Sequence, residues 1–160
     1  MSRSGADLAL LLLGGYRTLV EDATAELAAR GYDDFRPVHD FVMRAIAAGA
    51  DSASEVGRRT SVSKQAAAKT IAVLVDRGYV SSESDPADAR RKRLRVTELG
   101  LDVLRQGEAI FDELREAWGQ RIGAGELALL EERLTALVGD GAVRPDAAGW
   151  VAQDAGRVGG

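Results

Sequence analysis

A mainly helical fold with one small β-hairpin is what this 160-residue sequence predicts, and three observations carry that expectation. Apolar residues recur at helical spacing along most of the chain. The period changes to alternation only around Tyr79 to Val96. Glycines at 31, 49 and 78 stand just past the periodic stretches, where helices stop. An aromatic content of 5% and 18 glycines also suit a small-residue, alanine-rich helical build.

The elements follow in order. Leu8, Leu12, Leu19, Ala23 and Leu27 share one face of a long first helix that runs from Asp7 to about Arg30. Pro37 suits a first helical turn, and Val38, Phe41, Val42, Ala45 and Ile46 give a second helix ending near Ala48. Ser52 with Glu55 three positions on is a reciprocal capping pair, which starts a short third helix. Ser63 caps a fourth through Ala67, Ile71 and Leu74, so the third and fourth must be joined by a tight turn. Tyr79 and Val80 lead into a strand, the run DPAD is turn chemistry, and Leu94 and Val96 alternate with arginines in a return strand. Thr97 caps a long helix through Leu101, Leu104, Phe111, Leu114 and Trp118; Leu127, Leu130, Leu134 and Leu137 mark a last one. Residues 140–160 are glycine- and alanine-rich without period and are expected to be loose.

Length and composition narrow the classes. One domain is expected at this length. Without cysteine there can be no disulfide, thiolate metal site or thiol redox switch, and a single histidine leaves little for a metal. Neither a glycine-rich phosphate loop nor a histidine pair at metal spacing is present, so an enzyme is not expected and no cofactor is called for. The leucine run near the start is too short to span a bilayer, and Asp7 precedes it in place of a clean basic region; a cytoplasmic chain away from membranes is the reading.

Charge is unevenly placed. The net charge is -4, yet residues 58–95 carry 10 Lys+Arg against 4 Asp+Glu, and both flanks are acidic. Five of the six positions 90–95 are basic. A local positive field on an acidic body suits a polyanion that docks on one face.

Helix, tight turn, helix, then hairpin is the order of a winged helix-turn-helix, whose second helix enters the DNA major groove while the hairpin, or wing, reaches an adjacent groove or backbone. On the fourth helix Ser63, Lys64, Gln65, Ala68 and Lys69 form a face able to approach base edges, with glutamine able to pair bidentately with adenine. Lys64 stands where the helix dipole favours an anion, a mildly unfavourable place for the isolated helix. In the return strand, alternation puts Arg91, Arg93 and Arg95 on one side and Lys92, Leu94 and Val96 on the other, with Arg90 at the tip. The same charges could be a merely solvated surface.

The stretch DPADARRKRLRVTELG resembles the wing and following helix start of the MarR-type (multiple antibiotic resistance regulator) transcription factors: Asp85, Pro86, Asp88, Arg90, Thr97 and Gly100 fall where that pattern wants them. The resemblance covers roughly residues 5–139. It implies that Arg90 is a minor-groove wing residue with Asp88 as its orienting partner, beside Arg91, Lys92 and Arg93, and that the helix from Ser63 is the recognition helix. Ser61 departs from the glycine common in the turn, Ala89 from a frequent arginine, and Val73 and Val75 are apolar where charge is common.

The first and last two helices are too long and apolar for a small winged-helix core alone, so self-association is expected, with an intramolecular three-helix subdomain as the alternative. The expected layout is a single unit over 1–139, with dimerisation helices at 5–30 and 97–139 around a DNA-binding lobe at 37–96. The resemblance implies a two-fold homodimer on a pseudo-palindromic duplex, acting as a repressor and released by a small aromatic or anionic effector. Tyr16, His39 and Met43 are the candidates for such a pocket, although plain core or surface is the more ordinary reading of each. A winged-helix interaction module without DNA affinity is the competing function.

Overall fold

Ser4 and Asp7 start the first helix by exchanging bonds: the Ser4 hydroxyl accepts from the Asp7 N–H at 3.2 Å, and the Asp7 carboxylate accepts from the Ser4 N–H at 2.8 Å. The computed structural model describes residues 4–139, so the tail expected to be loose lies outside the described residues. Six helices and one antiparallel hairpin follow in the order α1 (Gly5–Ala29), α2 (Pro37–Ala47), α3 (Ala53–Thr60), α4 (Lys64–Asp76), β1 (Val80–Asp85), β2 (Asp88–Val96), α5 (Glu98–Ile122) and α6 (Ala124–Val138). The expectation of a mainly helical chain with a small hairpin holds.

Local chemistry explains the boundaries. Gly31, Gly49 and Gly78 have φ of 94°, 103° and 77°, the left-handed turn that ends α1, α2 and α4. Ser52, Ser63 and Thr97 each cap the helix that follows, accepting from the N–H groups of Glu55, Ala66 and Gly100 at 3.3, 3.0 and 3.1 Å. The Ser52 cap is one-sided. The Glu55 carboxylate does not complete the reciprocal pair with Ser52: it takes Arg59 at 2.7 Å and a backbone hydrogen bond from Asp51.

Two close approaches fix how these helices meet. A Cβ on Gly57 would stand 2.8 Å from the Val62 carbonyl oxygen, so only glycine lets the chain fold back tightly from α3 to α4. Within the same turn Ser61 sits at φ 56°. A Cβ on Gly100 would meet the Tyr79 carbonyl oxygen at 2.2 Å, so the first turn of α5 rests directly on the entrance to β1.

One apolar core joins these parts. Ala23 and Leu27 of α1, Val42 and Met43 of α2, Val56 of α3, Ala67 and Leu74 of α4, Val80 of β1, and Val103 and Ile110 of α5 are all buried in it. Leu94 and Val96 of β2 pack against its edge, as their alternation predicts. Helix α5 lies along α1 and carries α6 at its far end. Away from the core, Leu8, Leu10 and Leu11 of α1 are 57%, 65% and 54% exposed, and Leu137 of α6 is 80% exposed.

Candidate nucleic-acid interface

The tight α3–α4 turn and the Gly100 contact hold α4 and the hairpin side by side, and a groove of about 810 Å³ opens between them. Lys64, Ala68, Ala72 and Val75 of α4 line one wall; Arg90, Arg91 and Lys92 of the hairpin line the other. The start of α3, at Ser52 and Ala53, closes one side. Sequence reasoning missed that contribution, for which the Ser52 cap was the available signal, since a helix N-terminus favours phosphate.

On α4 the five expected residues, Ser63, Lys64, Gln65, Ala68 and Lys69, are all exposed on one side, while Ala67, Ile71 and Leu74 face the core. Such a face presents two ammonium groups, one amide and small methyls, a surface that can approach base edges closely.

The hairpin departs from simple alternation. Ser84 stands opposite Lys92, but the next pair is Asp85 with Asp88, so residues 89–91 have no opposing residue and bulge out of the ladder. Alternation therefore sets faces only from Lys92 onward, and the side taken by Arg91 does not follow from it. The Asp88 carboxylate accepts from the backbone N–H of Arg90 at 3.0 Å, so Asp88 shapes the main chain of the bulge. Asp88, Arg90, Arg91, Lys92 and Arg93 are all exposed. Arg93 differs from its neighbours: its Nε lies 3.5 Å from Asp85 Oδ2. Among the described residues Lys64, Lys69, Arg90, Arg91, Lys92 and Arg95 make no ion pair with a carboxylate, which leaves their charge available to a ligand.

The three pocket candidates lie elsewhere. Met43 is fully buried in the core. His39, 7% exposed, accepts the Arg36 N–H on Nδ1 at 3.1 Å and meets the Phe35 ring edge-on, so it serves as an internal cap for the start of α2. Burial, followed by the nearby Arg77 and Arg36 charges, pushes its pKa down to about 4 against a smaller opposing effect of Asp34, so it is neutral at pH 7. Tyr16 is half-buried on α1, next to Gly15, whose Cα faces Trp118 of α5. Among the described residues no cluster of three or more His, Cys, Asp or Glu side chains could hold a metal ion, and no helix is long and apolar enough to cross a membrane.

A tight helix pair whose second member is exposed along a cationic face, followed by a bulged basic hairpin, defines the winged helix-turn-helix class. Comparison with known proteins narrows this. The sequence model described as the MarR family matches residues 41–91. Wild-type MarR from E. coli in its apo form superposes with a TM-score of 0.64 at 19% identity, over 87% of this chain and 100% of that one. CouR from Rhodococcus jostii RHA1 bound to p-coumaroyl-CoA gives 0.59 at 18%, over 89% and 100%. A mutant of S. aureus MepR bound to an oligodeoxyribonucleotide gives 0.60 at 14%, over 82% and 95%. No curated protein matches the chain in sequence. The chain therefore has the fold of these MarR-type winged-helix structures, and its residues 41–91 match the sequence model of that family.

Proposed function

We propose that this protein is a sequence-specific, double-stranded-DNA-binding transcriptional regulator that works as a homodimer on a pseudo-palindromic operator. The observation that carries the reading is the cationic excess of the α4–hairpin groove, where Lys64, Arg90, Arg91 and Lys92 make no ion pair and, with Arg93, outnumber the Asp51, Asp76 and Asp85 that also line it. Helix α4 enters the major groove with Lys64, Gln65, Ala68 and Lys69 leading; Arg90 and Arg91 reach the minor groove or its phosphates. The oligodeoxyribonucleotide bound to the similarly folded MepR agrees with this.

Dimerisation is proposed through the terminal helices. Exposed Leu8, Leu10, Leu11 and Leu137 sit on α1 and α6, away from the groove, and an apolar surface of that kind is stable only when covered. Residues 5–30 and 97–139 then form the dimer arms and 37–96 the DNA-binding lobe, with two recognition helices about one DNA turn, roughly 34 Å, apart. Repression relieved by a small aromatic or anionic effector completes the proposal, in line with the p-coumaroyl-CoA bound to CouR. An effector releases DNA only by binding a DNA-incompatible arrangement of the lobes more tightly.

A mobility-shift assay against duplex DNA from immediately upstream of the protein's own gene tests the reading. The parent shifts a discrete band, and Lys64→Ala with Arg90→Ala abolishes it while the sedimentation of the dimer is unchanged. Equal shifts for parent and variant overturn the assigned face. If no duplex binds at all, the competing role of an interaction module takes its place.

A further inference from the structure

The bulge at residues 89–91 raises a problem that the DNA-binding reading leaves open. Five unpaired residues, 86–87 of the turn and 89–91 of the bulge, carry Arg90 and Arg91 with Lys92 at their edge, and a loop of that kind loses affinity to its own conformational freedom unless something fixes it. The structure contains such a fixture. Asp85, the last residue of β1, has a side chain only 11% exposed and uses both oxygens: Oδ1 accepts the Ala87 N–H at 2.9 Å inside the turn, and Oδ2 faces Arg93 Nε at 3.5 Å across the neck of the loop. The ladder is regular from Lys92 back to Val96, so Arg93 is anchored on its far side.

We propose that Asp85 and Arg93 are positioning residues: a strap across the neck of residues 86–92 that presents Arg90, Arg91 and Lys92 to the DNA, with Arg93 acting through Asp85 and not on a phosphate. This rests on the DNA-binding reading above. It removes Arg93 from the set of direct contacts and adds Asp85, an acid, to the residues that binding needs.

The sign of a charge change separates the strap from plain electrostatics. Asp85→Asn keeps an acceptor for the Ala87 N–H, removes the ion pair and makes the wing more positive. Electrostatics alone then tightens DNA binding; loss of the strap weakens it, by about fivefold for an ion pair at the upper end of the exposed range. Arg93→Gln weakens binding by a similar factor, and the double variant is no worse than either single one, because both break one interaction.

Two measurements test this. In the free protein, trypsin cuts after Arg90, Arg91 and Lys92 faster in Asp85→Asn than in the parent, while cleavage elsewhere is unchanged; equal rates overturn the strap, whatever the protein binds. In DNA-binding titrations against salt, both single variants bind more weakly with the parent's salt slope. Tighter binding by Asp85→Asn, or a slope shallower by about one phosphate per protomer in Arg93→Gln, overturns it as well. Failure of the parent to bind duplex, with the protease result intact, removes the DNA reading and leaves the strap standing.

Discussion

Ser61 carries the least comfortable backbone of the turn between α3 and α4. Its φ of 56° costs a side-chain-bearing residue roughly 1 kcal/mol, and glycine adopts it without that cost. Ser61→Gly is therefore expected to stabilise the protein by about 0.5 kcal/mol, the remainder being offset by the freedom glycine gains in the unfolded chain. A rise of the thermal midpoint of one to a few degrees, about what such a change gives, checks this. His39 acts through its protonation state. Its pKa falls to about 4 in the fold, so the unfolded chain binds the extra proton first as the pH drops. Its contribution is complete well above pH 6.5 and is lost as the pH falls from there toward 4, on the order of 3 kcal/mol in all. His39→Gln keeps an acceptor for the Arg36 N–H without titrating. Urea melts at pH 7 and pH 4.5 should show a smaller loss of stability in that variant than in the parent.

At the scale of elements, the α3–α4 pair decides whether the cationic face is presented at all. Gly57→Ala brings two opposing effects: alanine raises helix propensity by about 1 kcal/mol, and its Cβ collides with a backbone oxygen that has no side-chain freedom to yield. Overpacking wins, for a net loss of about 1–2 kcal/mol, and α4 is displaced from the hairpin. Denaturant titration measures the first, and weaker duplex binding in native buffer the second. Helix starts and stops were legible in the sequence because they are local chemistry: Ser52, Ser63 and Thr97 cap, and the glycines after α1, α2 and α4 end. The cationic face of α4 was legible for the same reason, since helical periodicity alone places Lys64, Ala68 and Lys69 on one side. The bulge was not, because no glycine or turn residue marks 89–91 and only the register of the opposite strand reveals it. Long-range polar ties were equally hidden. Arg30, just past the end of α1, reaches Gln106 and Glu113 of α5, Arg44 of α2 reaches Glu108, and Tyr32 donates to Asp102, pairings that no spacing in sequence announces.

At the scale of the whole molecule, an acidic protein carries one strongly cationic region, and its fold brings Lys64, Arg90, Arg91, Lys92 and Arg93 of that region to a single groove. Of the flanking acids, Glu113, Glu108 and Glu131 pair with Arg30, Arg44 and Arg115, while Asp51 lines the groove beside Asp76 and Asp85, where the cations outnumber them. In the proposed dimer a two-fold axis doubles the number of phosphates engaged, which would make binding strongly dependent on salt. The most direct test is the slope of log affinity against log salt concentration for an operator duplex, measured for the parent and for Lys64→Ala with Arg90→Ala. A dimer that uses both residues in each protomer gives a parent slope steeper than about -5, shallower by about 3 to 4 in the double variant. A nearly flat parent slope, or one that the two substitutions leave unchanged, contradicts the account.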